Sequence, residues 1–97
     1  MKRVIYSRQA RIDLLEIGDR IEEFNPPRSV TFVTELRARA DNIASFPSAY
    51  PPRDDLQKGL RMAPYGHYVI LFRVTDSEVV IKRVVHGARD LPGLFRE

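Results

Sequence analysis

The sequence predicts an α+β protein in which a pair of helices packs on one face of a small, mainly antiparallel β-sheet. In the first half, two stretches place apolar residues three or four positions apart, which is typical of amphipathic helices. In the last third, two β-branched runs at 68–74 and 78–85 flank a short polar turn, which indicates a β-hairpin. With one short strand before the first helix and another before the hairpin, the element order is β-α-α-β-β-β.

The first helix is predicted over residues 8–24, directly after a short strand at 2–6. Ser7 is a good N-cap, because its hydroxyl can accept a hydrogen bond from a free N–H of the first turn. Asp13 and most of the other charged residues are assigned to the solvent side of this helix. The apolar stripe consists of Ala10, Leu14, Ile17, Ile21 and Phe24.

The second helix is predicted over residues 27–46. Asn25-Pro26-Pro27 separates it from the first, since proline ends one hydrogen-bond ladder and suits the opening turn of the next. A link of three residues between two amphipathic helices implies an antiparallel hairpin. The apolar stripe of the second helix consists of Val30, Val33, Leu36, Ala40 and Ile43, with Phe32 and Ala44 widening it.

The strand at 68–74 is apolar on both faces, with Ile70 and Phe72 on one side and Val69 and Leu71 on the other. A single pair of helices can cover only one of these faces. Two explanations stay open and are compatible: the C-terminal tail folds over the second face, or a partner covers it. Before this strand, residues 47–58 form a proline-rich, charged loop, and a strand begins at 59–63 and is broken by Pro64-Tyr65-Gly66.

Length and composition exclude several classes of protein. The 97 residues suffice for one domain, residues 1–97. The absence of cysteine excludes disulfides and thiolate metal sites, and the two histidines lack close ligand spacing, so we expect no metal and no cofactor.

The chain has no apolar run near the ~20 residues that cross a bilayer and no signal peptide, so we expect a cytoplasmic protein. Its net charge is +3, and most of its basic residues are arginines. This composition suits either an acidic partner or a solvated surface.

The segment His86-Gly87-Ala88-Arg89-Asp90 places titratable and anion-binding groups at the end of the last strand, where small domains often carry function. His86 is either a catalytic group or a side chain hydrogen-bonded to the backbone. Arg89 and Asp90 form either a binding surface or a local salt bridge or helix cap. Arg61 either pairs with a carboxylate of the loop, Asp54 or Asp55, or contacts a partner.

The chain resembles the ParE/RelE superfamily of bacterial toxin–antitoxin toxins, and specifically its ParE branch. The similar segments are Val4-Ile5-Tyr6-Ser7-Arg8-Gln9-Ala10, Asn25-Pro26, Phe46-Pro47, Gly59-Leu60-Arg61 and, most specifically, the run from Arg83 to Asp90. The resemblance implies a small cytoplasmic toxin that a cognate ParD-like antitoxin neutralises. ParE-branch members poison DNA gyrase, whereas RelE-branch members cut messenger RNA on the ribosome.

The residues favour the ParE branch. RelE-branch nucleases use a cluster of Lys, Arg and Tyr on the sheet and tail, but here Val69 and Leu71 occupy the central strand and no Tyr follows Arg89. We therefore expect a gyrase inhibitor that acts by protein–protein binding and is not an enzyme. The alternatives are a RelE-like ribosome-dependent mRNA interferase, built on Arg61, His86 and Arg89, and a degenerate antitoxin-binding scaffold. Neither helix has a DNA-recognition signature, so we expect no direct DNA binding.

Two sets of contact residues follow from this interpretation. The antitoxin is expected to place an extended, acidic and apolar segment over the second face of the sheet, by groove docking or strand addition. The expected antitoxin contacts are Arg61, Tyr68 and Arg73. The expected target contacts are His86, Arg89, Asp90, Leu94 and Phe95.

Overall fold

The computed structural model describes residues 2–95 and confirms the α+β prediction. Two long helices pack on one face of a four-stranded sheet with the strand order β1-β4-β3-β2, in which β1 runs parallel to β4 and the other pairs are antiparallel. The elements are β1 (Arg3–Tyr6), α1 (Arg8–Phe24), α2 (Pro26–Ser45), β2 (Leu60–Tyr65), β3 (Tyr68–Val74), β4 (Glu78–His86) and the short α3 (Leu91–Leu94). A 3₁₀ turn at Pro47–Ala49 and helix α3 were not predicted.

Helix α1 begins where the capping pattern predicts. The Ser7 hydroxyl accepts a hydrogen bond from the backbone N–H of Ala10 at 3.0 Å and donates one to the carbonyl of Lys82 at 2.8 Å, so the cap also ties the helix start to β4. The predicted apolar stripe is buried at its N-terminal end. Phe24, its last member, is 83% exposed, because the helix periodicity continues past the part of α1 that the core covers.

The helices are joined by one residue rather than three. The backbone N–H of Asn25 donates to the carbonyl of Ile21 at 2.7 Å and closes α1, while its side-chain oxygen accepts from the N–H of Arg28 at 3.3 Å and opens α2. Pro26 therefore lies inside the first turn of α2, where a missing N–H breaks no helical hydrogen bond. The antiparallel hairpin forms as predicted, with a tighter turn.

The buried stripe of α2 differs from the prediction at its N-terminal end. Val30 was assigned to the core but is exposed, and Ser29, which was not assigned to it, is buried; Phe32 is buried as predicted. The Ser29 hydroxyl donates to the carbonyl of Gly18 at 2.7 Å, which holds this turn of α2 against α1 and directs Val30 outward. The core of this layer consists of Ala10, Leu14, Ile17, Phe32, Leu36, Ala40, Ile43, Ala44, Ala63, Ile70, Phe72, Val79, Ile81 and Val84.

A β-bulge in β4 decides which residues face the helices. Phe72 pairs with Ile81, but the preceding residue Leu71 pairs with Arg83, so Lys82 is an extra residue in the ladder. Strict alternation from Ile81 would place Val85 on the helix side. Instead Val84 belongs to the main core, and Val85 packs on the opposite face.

The second face of the sheet is covered by the chain itself. Val69, Leu71 and Val85 form a smaller core with Leu91 of α3, and Leu94 and Phe95 pack against it. This confirms that the tail folds over this face. The loop before β2 adds Leu56 to the same core, a burial that the loop's proline-rich, charged sequence did not indicate.

Strand β2 continues through Pro64, contrary to the prediction that Pro64-Tyr65-Gly66 breaks it. Pro64 pairs with Val69 of β3 while β2 forms the edge of the sheet. A proline at an edge position whose nitrogen faces away from the neighbouring strand removes no ladder hydrogen bond. The strand therefore extends to Tyr65, and Gly66 turns the chain with φ 58°.

A polar cluster joins α2 to β2. Arg28 and the hydroxyl of Tyr65 both donate to the carboxylate of Glu35, and the Arg28 guanidinium lies 4.9 Å from the ring of Phe32. The Arg28 hydrogen bond, followed by that of Tyr65, holds the pKa of Glu35 below its usual value of 4.5. The charged form of Glu35 is therefore the one that stabilises this contact.

The pH dependence of this cluster follows from the sign of the shift. A carboxylate whose pKa is lowered by folding stabilises the fold above its unfolded pKa, and this contribution is lost as the pH falls through its folded pKa. We expect the melting temperature of Glu35→Gln to lie below that of the wild type at pH 7, and the difference to shrink below about pH 4.5. Thermal unfolding across that range measures it. Glu22→Gln, at an exposed position of α1, is the control, and a difference that did not change with pH would contradict the prediction.

Candidate functional site

A cleft of about 360 Å³ lies between α1 and the ends of β3 and β4 that carry the His86 segment. It contains carboxylates, guanidinium groups, an imidazole and a phenol on an apolar floor. The lining residues are Asp13, Glu16, Ile17, Arg20, Tyr68, Val84, Val85, His86 and Arg89.

Helix α1 supplies one wall of the cleft. Glu16 and Arg20 are both exposed and stand one helical turn apart, next to the buried Ile17. From the sequence, both residues were expected on the solvent side of α1, without a functional role. Their spacing was the available signal, because side chains at i and i+4 share one helix face. What the sequence did not show is that this face borders the end of β4.

Asp13 forms the base of this wall and is only 3% exposed, contrary to its assignment to the solvent side. Its carboxylate accepts hydrogen bonds from Nε and Nη2 of Arg83 at 2.8 and 3.0 Å, and from the backbone N–H of Val84 at 3.0 Å. These three donors, together with the Gln9 side-chain amide at 3.5 Å from one carboxylate oxygen, compensate the burial of the charge. The donors of Arg83 and Val84 also fix α1 to β4 directly beside the bulge at Lys82.

His86 closes the strand end of the cleft. Its Nδ1 accepts a hydrogen bond from the backbone N–H of Ala88 at 3.1 Å, as expected for a strand-end histidine bonded to the backbone. In the neutral ring the proton is therefore on Nε2. The ring stacks on His67 with centroids 6.0 Å apart, and Tyr68 meets it edge-on at 5.6 Å.

Of the five predicted target contacts, the structure brings His86 and Arg89 together in the cleft. Leu94 and Phe95 instead pack against the second core. Asp90 stands at the N-cap position of α3, where its side chain makes no capping hydrogen bond and lies against Gly93. No Arg89–Asp90 ion pair occurs within residues 2–95.

The predicted antitoxin contacts do not form one surface. Tyr68 lies in the cleft, whereas Arg61 and Arg73 hold the loop that precedes β2. Arg61 donates to the carbonyl of Tyr50, and Arg73 donates to the side chain of Gln57 at 3.0 Å and to the carbonyl of Lys58 at 2.9 Å. Both arginines thus have partners inside the domain, and their contact with an antitoxin stays a prediction.

The loop carboxylates have other partners than the expected Arg61. Asp55 forms an ion pair with Arg53 at 2.9 Å, and Asp54 accepts the backbone N–H of Gly59 at 2.8 Å. Within residues 2–95, no three His, Cys, Asp or Glu side chains are grouped so that they could hold a metal ion. The same part of the chain contains no helix that is both long and apolar enough to span a membrane.

Comparison with known proteins gives consistent matches over nearly the whole chain. The family model described as the ParE toxin of the type II toxin–antitoxin system parDE matches residues 4–91. The curated protein Toxin RelE2 of Caulobacter vibrioides is 32% identical over 89 residues, which cover 92% of this chain and 99% of that toxin.

Two solved structures share the fold. The chromosomal ParDE system of P. aeruginosa superposes with a TM-score of 0.75 at 20% identity, over 89% of this chain and 96% of that one. The toxin–antitoxin complex RelBE2 of Mycobacterium tuberculosis superposes with a TM-score of 0.64 at 27% identity, over 88% and 96%. Both were determined for toxin–antitoxin systems.

Proposed function

Because the chain belongs to the ParE family of type II toxin–antitoxin toxins, we propose that it inhibits DNA gyrase by protein–protein binding and that a cognate ParD-like antitoxin neutralises it. In this proposal the toxin is not an enzyme and acts in the cytoplasm. The cleft is the surface that contacts gyrase, with His86, Arg89 and Tyr68 at its strand end and Arg20 on its helix wall.

The observation that carries the proposal is that two titratable side chains of the cleft, Asp13 and His86, already form hydrogen bonds within the domain. Both carboxylate oxygens of Asp13 are engaged by Arg83, and one also accepts from Val84. The Nδ1 of His86 is engaged by the backbone N–H of Ala88. These groups are arranged to hold the strand end in place, which suits a contact surface better than a proton-transfer site.

The second face of the sheet supports the same conclusion. Val69 and Leu71 are buried beneath Leu56 and Leu91, so the middle of the central strand offers no basic side chain for an RNA phosphate. Stabilising a phosphate during backbone cleavage requires such positive charge at the reacting group. The arginines near the candidate site line the cleft, and they do not lie on this face of the sheet.

A specific grouping favours a second candidate function, ribosome-dependent cleavage of messenger RNA. Glu16, Arg20, His86 and Arg89 line the same cleft. In such a reaction a carboxylate takes the proton of a 2′-hydroxyl as it attacks phosphorus, guanidinium groups stabilise the phosphate, and an imidazolium protonates the leaving 5′-oxygen. Glu78 lies at the opposite end of β4 from His86, so Glu16 is the better placed carboxylate to act as the base.

Expression of the toxin without its antitoxin distinguishes the two functions. We expect induction of the DNA-damage response and filamentation with intact cellular messenger RNA, and inhibition of supercoiling or stabilised DNA cleavage by purified gyrase. His86→Ala should change gyrase inhibition only modestly, because no proton transfer is required of it. His67→Ala, which removes the stacking neighbour outside the cleft, is the matched control.

The opposite result has an equally clear signature. Ribosome-dependent cuts in messenger RNA without DNA damage, together with a loss of cleavage of about 10²-fold or more in His86→Ala, would establish the interferase and overturn the gyrase proposal. Growth without either signature would identify a degenerate, antitoxin-binding member of the family.

A further inference from the structure

A groove of about 330 Å³ lies between α1 and α2 and is lined only by residues of these two helices. It is separate from the cleft, because no residue lines both. Leu15 and Val33 contribute apolar surface to the groove, and Leu15 is 68% exposed. Val30, nearly one helical turn before Val33, is 71% exposed. Large apolar side chains are therefore left uncovered on the helix side of the domain.

The charged residues of α1 on this side are arranged symmetrically about Leu15. Arg11 lies four residues before it and Asp19 four residues after it, so both share its helix face. Arg8 and Glu22 continue the pattern seven residues away on either side, at about two helical turns. These five residues form the α1 stripe. Its four charged members are exposed, and none of them takes part in an ion pair within residues 2–95.

This order of charges is unfavourable for a helix on its own. The peptide dipoles leave partial positive charge at the N-terminus of a helix and partial negative charge at its C-terminus. Arg8 and Arg11 nevertheless lie in the first turn of α1, which has no acidic residue, while Glu22 and Glu23 lie in its last turn, which has no basic one. The α1 stripe is therefore not explained by the stability of α1. A second, antiparallel α1 would place carboxylates beside the arginines at both ends.

Helix α2 adds to the charge at the arginine end of the groove. Arg37 lines the groove with Arg11, and its guanidinium lies 5.0 Å from the centroid of the Tyr6 ring. The backbone carbonyl of Tyr6 accepts from Arg11 at 2.9 Å, which holds the two guanidinium groups near each other. Asp41, one turn beyond Arg37, lies outside the groove. The groove thus has two guanidinium groups at one end and two carboxylates at the other.

We propose that a second copy of this chain occupies the groove, with the two α1 helices antiparallel about a twofold axis near Leu15. A twofold contact requires a surface that is complementary to itself. The axis brings Arg11 of each copy opposite Asp19 of the other, and Arg8 opposite Glu22. Leu15 packs on Leu15 of the second copy beside the apolar surface of Val33. The cleft of each copy stays accessible, because it shares no residue with this contact.

The contact is small, so the dimer should be weak. An interface built mainly on one helix from each copy lies at the low end of the size range of specific interfaces, and we expect a dissociation constant of about 1–100 µM. Well below that concentration the chain is monomeric. Substitutions in the α1 stripe, Leu15→Asp included, should change its melting temperature there only little.

Sedimentation equilibrium of purified variants tests the twofold arrangement. Arg11→Asp places a carboxylate opposite Asp19 twice in each dimer, and Asp19→Arg places a guanidinium opposite Arg11 twice. We expect each variant alone to dimerise at least about 100-fold more weakly than the wild type. An equimolar mixture of the two should dimerise within about tenfold of the wild type, because opposite charges then meet at both ends. This recovery is specific to a contact in which positions 11 and 19 face each other.

Two variants make the same changes of charge elsewhere and serve as controls. Lys58→Asp lies in the exposed loop before β2, and Asp76→Arg lies in the exposed turn between β3 and β4. Both should dimerise like the wild type, alone or mixed. Thermal unfolding below the dimer dissociation constant identifies any variant that has lost its fold. The pair Arg8→Asp and Glu22→Arg then repeats the test farther from the axis.

Three results would overturn the proposal. The first is a wild-type chain that stays monomeric at about 1 mM, ten times the weakest dissociation constant expected. The second is a dimer that neither variant weakens, or that mixing does not restore, since its interface would then lie elsewhere. The third is a monomeric wild type whose binding to the antitoxin is weakened by both Arg11→Asp and Asp19→Arg, which would assign the α1 stripe to the antitoxin. None of these results depends on whether the toxin inhibits gyrase.

Discussion

Replacing Asp13 by Ala is expected to lower the free energy of unfolding by about 3–5 kcal/mol, because it leaves a buried charge without its partner. The Arg83 guanidinium would lose both of its hydrogen bonds, and the N–H of Val84 would lose its acceptor beside the bulge. For a domain whose total stability is about 5–15 kcal/mol, this is enough to threaten folding. Chemical denaturation monitored by circular dichroism measures the change.

The control for this prediction is an ion pair of the same chemistry at the surface. Arg3 and Glu78 are 2.7 Å apart, but the Arg3 side chain is largely exposed, so Glu78→Ala should cost about 0–1 kcal/mol. Asp13→Asn keeps one acceptor oxygen and should lie between the two. If Asp13→Ala unfolded at the same denaturant concentration as Glu78→Ala, the buried pair would not be the link between α1 and β4.

The second large effect is expected for Ile17→Asp. Ile17 is 7% exposed and packs in the main core, so the substitution places an unpaired carboxylate among apolar side chains. The cost should reach several kcal/mol, from the lost apolar burial together with the desolvated charge. We expect the purified variant to show either no cooperative thermal unfolding transition or one with a much lower melting temperature at neutral pH.

Leu15→Asp is the matched control on the same helix. Leu15 is 68% exposed, so the same change in chemistry there should alter the melting temperature little. Equal destabilisation by the two substitutions would show that helix propensity, rather than burial against the sheet, controls the stability of α1. A variant of Ile17 that melts like the wild type would mean that the buried face of α1 is wrongly assigned.

These two residues also connect stability to the function of the cleft. Asp13 and Ile17 both line it while they hold α1 against the sheet. Substitutions that perturb toxicity at these positions therefore need a stability measurement beside them. Glu16 and Arg20 stand on the same wall but are exposed, so they are the better positions for testing contact with a target.

The order and type of the main elements could be predicted from local patterns alone. The helix stripes, the Ser7 cap and the apolar runs of the hairpin each depend on neighbours within one or two turns or along one strand, which the sequence displays directly. The apolar second face of β3 showed that this face needs cover, but it left open whether the tail or a partner provides it, and the structure shows Leu91 of the tail there. His86 and Arg89 could be identified as site candidates because they stand together at a strand end.

What the sequence by itself determined is the α+β class, its helical hairpin and antiparallel strands, and the position of a polar segment after β4. Only the tertiary structure decided that Asp13 is buried, that Lys82 forms a bulge, and that Glu16 and Arg20 line one cleft with His86. Each of these depends on residues far apart in the chain: Asp13 meets Arg83, and the bulge is defined by pairing with β3. A charged residue next to an apolar stripe has the same local pattern whether its partner is water or a guanidinium brought from another strand. The fold supplies that partner, and with it the cleft.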